Sequence, residues 1–142
     1  MLSLTLQFRF TRRRRTRDYW PSITSLLARV EATGLSEVVL RFEDLYGSFH
    51  WDFVDWPELS EVLVRLYRTY PLLKVTFSFL FRSPRPIIPY LRERLEHVLT
   101  GGLQIKVVIT ILDFYTTYNH RSYHPMWRTW YPKSSECEFL TS

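Results

Sequence analysis

Four apolar runs begin near positions 2, 35, 72 and 103, at intervals of 33, 37 and 31 residues, and each gap between them holds one amphipathic helix pattern. The first run, LSLTLQFRF, alternates strictly. Leu2, Leu4, Leu6, Phe8 and Phe10 fall on one face and Ser3, Thr5, Gln7 and Arg9 on the other, the period-2 signature of a half-buried strand. LSEVVLRFE, LLKVTFSFLF and LQIKVVITIL read as three further strands. Between them, WPSITSLLARVEATG places Ile23, Leu26, Leu27 and Val30 at helical spacing, with Pro21 in the first turn and Gly34 beyond the end. DWPELSEVLVRLYRTYP gives the second helix. Asp55 caps it, Glu58 sits at capping-box spacing, Leu59, Val62, Leu63 and Leu66 form its stripe, and Pro71 ends it. RPIIPYLRERLEHVLTGG gives a third, with Leu91, Leu95, Val98 and Leu99 on one side and Gly101–Gly102 as the stop.

The order β-α-β-α-β-α-β constrains the fold, because strands joined by a helix-length crossover pair in parallel. Leu35, Val38, Leu40 and Phe42 match Leu72, Val75, Phe77 and Phe79 in spacing and type, so the units are degenerate internal repeats. The expected fold is α/β: stacked β-α repeats forming one mainly parallel four-stranded sheet, in chain order, with Leu26, Leu63 and Leu95 facing it. A small open α/β sheet is the other arrangement the order permits. Only Val107 to Leu112 is apolar on both faces, which favours a curved sheet with helices on one side. Residues 1–112 are read as the repeat domain. Residues 113–142, aromatic without periodicity and broken by Pro125 and Pro132, are read as an irregular tail that covers the sheet edge and frays after Lys133.

With 142 residues, 46% of them hydrophobic, the chain has enough apolar side chains for one buried core. Ten Phe, nine Tyr and five Trp against four Gly argue against disorder and against a glycine-rich ligand loop. Cys137 is the single cysteine and makes no internal disulfide, and no apolar run nears the roughly 18 residues of a membrane helix. The amino-terminal stretch has its charge after the apolar residues, unlike a secretory signal. The expectation is an intracellular protein, cytoplasmic or nuclear, without membrane contact. Its formal excess of +5 is localised: residues 9–18 carry six arginines and one aspartate, and the rest of the chain balances to zero.

The units LSEVVLRF, Trp56-x-x-Leu59-Ser60-x-x-Leu63-x-x-Leu66, LLKVTF and PYLRER resemble the C-terminal leucine-rich-repeat-like region of the F-box-like proteins of mushroom-forming fungi, over about residues 35–109. The resemblance implies the target-binding part of a ubiquitin-ligase substrate receptor, in which the repeats hold a protein. The chain opens on a strand and shows no Leu-Pro-led helical F-box, so binding to the ligase adaptor is not carried over. The matching positions are core positions, so no binding residue is carried over either.

Two segments are candidate sites. Arg12, Arg13, Arg14, Arg15 and Arg17 follow the first strand at its carboxyl end, where ligands of α/β sheets tend to sit, and suit an anionic ligand, whether phosphate, nucleic acid or another anionic surface; the bland alternative is a solvated loop. The confinement of the charge to this run limits the nucleic-acid reading, since such binders spread cations over a whole face. The segment Tyr46 to Trp56 carries Phe49 and Trp51 as candidate protein-binding anchors, while Phe53 and Trp56 are assigned to the core. His120 and His124 have metal-pair spacing only if helical, with Asp113 and Cys137 as conceivable further ligands; Pro125 and the polar neighbours make the segment a loop, and no metal site is expected. Asp52 and Asp55 flank two residues, but Asp55 has a cap to make; His97 is read as a surface ion-pair partner of Glu93, and His50 lies in a loop. No nucleophile motif or phosphate loop is present, so no catalysis and no cofactor are expected. The chain reads as a protein-interaction module, with anion binding through the arginine run as the alternative and an enzyme of unrecognised type more remote.

Overall fold

Period-2 and period-3.6 patterns resolve into nine elements in the computed structural model, which describes residues 2–9, 20–29, 34–44, 54–118 and 125–142. They are β1 (Leu2–Arg9), α1 (Trp20–Ala28), β2 (Leu35–Asp44), α2 (Trp56–Thr69), β3 (Lys74–Phe81), α3 (Ile87–Arg94), α4 (Glu96–Thr100), β4 (Ile105–Tyr118) and β5 (Pro125–Leu140). The sheet order is β1-β2-β3-β4-β5. The first four strands are parallel, as their helical crossovers require, and β5 is antiparallel to β4.

The strand register aligns the apolar positions across the sheet. Leu40, Phe77 and Val107 share one row, and Phe42, Phe79 and Ile109 the next. These side chains meet Leu59, Leu63, Leu66, Leu91, Leu95 and Val98 of the helices in a single core, so the helices lie on one face. Phe42, Phe77, Phe79 and Phe81 stack within it, with Phe42 and Phe79 centroids 5.2 Å apart. Each such contact contributes about 0.5–1.5 kcal/mol beyond the area buried. Trp56 is buried at the start of α2, donating from Nε1 to the Tyr90 hydroxyl at 3.2 Å. Asp55 Oδ1 accepts from the Glu58 amide, which satisfies one of the free donors of the first turn. Gly34 and Gly102 have φ of +81° and +97°, the left-handed region where side-chain-bearing residues are strained.

Four expectations are corrected. The sheet has five strands, not four: β4 runs on to Tyr118, and residues 125–140, read from sequence as an irregular tail, form β5. Its prolines fit because β5 is an edge strand. Pro125 begins it, and Pro132 lies beside the register irregularity in which Lys133 is the extra residue between the pairs Ile111–Ser134 and Leu112–Pro132. Nor does the strand fray after Lys133, since Leu140 is fully buried. In α1, Leu27 and Thr24 face the core and Leu26 is 48% exposed. Adjacent residues of a helix diverge by about 100°, so only one of Leu26 and Leu27 can point at the sheet. The third helix is divided at Leu95 into α3 and α4, with Leu91, Leu95, Val98 and Leu99 all buried as their spacing predicts.

Candidate functional site

The parallel strands β1 and β2 end on the same side of the sheet. Arg9, the last residue of β1, is registered with Glu43 near the end of β2. β1, which precedes Arg12, Arg13, Arg14, Arg15 and Arg17 in the chain, therefore ends beside β2, which precedes Phe49 and Trp51. Those residues, with His50, Asp52, Phe53, His120 and His124, lie outside the described residues. Beyond this end, β4 and β5 continue as a two-stranded ribbon: β3 stops at the Phe81–Ile111 pair, while pairing of β4 with β5 runs on to Tyr118–Pro125.

At the same end lies a carboxylate that sequence reasoning passed over. Asp44 closes β2 with a fully buried side chain; Arg85, on the connection from β3 to α3, donates to its Oδ2 at 3.0 Å. The Arg85 guanidinium also lies 5.5 Å over the Phe81 ring. Asp44 Oδ1 has no hydrogen-bond partner among the described residues. The pair ties the end of β2 to the connection leaving β3.

The sheet's other face carries no described helix. Its rows are Ser3–Glu37–Lys74, then Thr5–Val39–Thr76–Lys106–Phe139, then Gln7–Arg41–Ser78–Val108–Cys137, then Arg9–Glu43–Leu80–Thr110–Ser135. Of the side chains described there, Lys74, Lys106, Ser135, Cys137 and Phe139 are exposed and Val39, Arg41, Thr76, Ser78 and Val108 half-buried, while Leu80 is buried. Where β3 and β4 begin, a cleft of about 520 Å³ is lined by Glu37, Leu72, Lys74, Thr76, Lys106 and Phe139, among others. Leu72 is 89% exposed at its edge and Phe139 53%. The level of Glu37 is six residues, about 20 Å, from that of Glu43 at the carboxyl ends. The cleft is thus at the opposite end of the strands from the carboxyl ends of β1 and β2. The alternation in LSEVVLRFE, LLKVTFSF and LQIKVVIT marks Arg41, Lys74 and Lys106 as off the core face, which was the only sequence signal for them.

The remaining candidates separate. Asp55 is an α2 cap, and His97 is exposed on α4. The described ion pairs include Arg85–Asp44 and Arg92–Glu138. Cys137 is registered with Val108 and lies five residues along β4 from Asp113, about 17 Å, so these two do not share a site. Among the described residues no three His, Cys, Asp or Glu side chains gather as a metal set, and no helix is long and apolar enough to cross a membrane. In comparisons with known proteins, no family model, no curated protein and no solved structure matches this chain.

Proposed function

We propose that the chain is a non-catalytic protein-interaction module of stacked β-α units, akin to the target-binding part of a ubiquitin-ligase substrate receptor, whose contact surface is the sheet face opposite the helices. One observation carries the reading: helices pack on one face of the sheet, and exposed and half-buried side chains of β2 to β5 line the other. A parallel sheet normally has both faces covered. A broad face of adjacent strands presents side chains on a rigid backbone, and repeat proteins bind partners through such surfaces. Phe49 and Trp51, on the segment leaving β2, are the proposed aromatic anchors beyond its carboxyl edge.

A photoreactive residue placed at Ser78, on this face, is expected to yield protease-sensitive adducts in a cell extract, and the same residue at the exposed helix position Glu61 is not. Phe49→Ala with Trp51→Ala is expected to lower the yield at Ser78. Equal adducts at both positions, or none at Ser78, defeat the reading.

The second reading is anion binding. It is supported by the sequence, in which Arg12, Arg13, Arg14, Arg15 and Arg17 follow the carboxyl end of β1, and by the fit of guanidinium groups to phosphate.

A further inference from the structure

We infer that the sheet face without a described helix takes an acidic peptide segment of the partner protein, its carboxylates held by Arg41, Lys74 and Lys106 and an adjoining apolar side chain seated against Phe139. This rests on the protein-binding reading and names the chemistry of what is bound.

Register places the three cations around Thr76. Lys106 is directly opposite it, Lys74 precedes it by two residues on the same face, and Arg41 is opposite Ser78, two residues after it. With strands about 4.8 Å apart and same-face neighbours about 7 Å apart, their Cα atoms lie about 8–14 Å from one another. None of the three enters an ion pair or hydrogen bond among the described residues. Glu37, directly opposite Lys74, accepts instead from the Ser3 hydroxyl at 3.2 Å. Arg41 Nε is buried without an acceptor. A half-buried guanidinium with no acceptor among the described residues is costly, and a carboxylate reaching it on this face supplies a charge-assisted partner.

The spacing and the charges select the ligand class. In an extended peptide alternate side chains project to one side about 7 Å apart, which is the row spacing of this face, so carboxylates at alternate positions reach successive rows. Glu37 and Glu43 stand among the cations, and a continuous phosphate backbone would meet them; discrete carboxylates need not. Phe139, in the same row as Lys106, and Leu72 at the cleft edge give apolar contact beside the charges.

The test uses the full chain and a labelled peptide in which glutamates alternate with leucine and phenylalanine, followed by fluorescence anisotropy. A lysine-for-glutamate peptide and a single-stranded oligothymidylate are run beside it. The acidic peptide is expected to bind and the lysine peptide not. The combined Arg41→Gln, Lys74→Gln, Lys106→Gln variant should bind about tenfold or more weakly, since three contacts of modest individual worth multiply. Arg41→Lys should lose several-fold because it keeps the charge without the fork. Glu37→Gln and Glu43→Gln should bind more tightly. Lys74→Gln with Lys106→Gln, both at exposed positions, keeps the test open if the triple variant melts early; a loss of about threefold is expected. Absence of acidic-peptide binding, binding indifferent to these cations, or preferential oligothymidylate binding that the triple variant abolishes overturns the inference. If adducts still form at Ser78 while the acidic peptide does not bind, the partner's chemistry is wrong and the protein-binding reading stands. If both fail, both fall.

Discussion

The Arg85 guanidinium donates at 3.0 Å to Asp44, whose side chain is wholly buried, whereas Arg92 and Glu138, 3.2 Å apart, keep about half of their side-chain surface in water. Two ion pairs of similar length therefore differ in consequence. Arg85→Ala leaves a buried carboxylate uncompensated and is expected to destabilise by about 2–3 kcal/mol, toward or below the low end for such pairs because Arg85 itself is 28% exposed. Arg92→Ala should cost less than about 1 kcal/mol. Urea denaturation of the two variants checks the contrast; equal losses would contradict the burial of Asp44.

Helix α1 offers a test of facing. Leu27→Ala is expected to cost about 2–5 kcal/mol because its side chain is fully buried, and Leu26→Ser to stay within about 1 kcal/mol because half of that residue is in water. Thermal melts that reversed this order would show the helix turned by about 100°, with Leu26 against the sheet.

Phe139 and Leu140 are adjacent in β5 and face opposite sides, Phe139 being 53% exposed and Leu140 0%. Leu140→Ala is expected to lose about 2–5 kcal/mol of stability. Phe139→Ala should leave the melting midpoint close to wild type while weakening acidic-peptide binding several-fold. Calorimetry with the anisotropy titration separates the two.

The arginine run has a salt signature if it binds phosphates. Four to six neutralised phosphates give a log–log slope of affinity against salt of roughly −3 to −5, and replacing Arg12 to Arg15 by Ser should flatten it. Oligonucleotide binding is expected to be weak and sequence-independent at low salt and largely lost near 0.15 M, because one short run offers few simultaneous contacts. Tight binding at that salt, lost on substitution, would make the run the site.

What the sequence determined by itself is the ladder of parallel strands. Alternation in LSLTLQFRF and helical spacing in LSEVLVRLYR are local properties, and a helix between two strands leaves parallel pairing as the ordinary outcome. The core residues Leu63, Leu95, Val38 and Phe77 were legible for the same reason. Tertiary structure decided the rest. Proline is a breaker in local terms, so β5 was invisible until Pro132 was seen beside an irregularity on an outer strand, a position that tolerates a residue without an N–H. Leu26 and Leu27 were equivalent in the pattern, and only packing against the sheet chose between them. Arg41, Lys74 and Lys106 lie on three different strands, up to 65 residues apart, and each alone is an ordinary surface cation. Their gathering around Thr76 follows from register, which is set by long-range pairing and by the apolar face that each strand must bury.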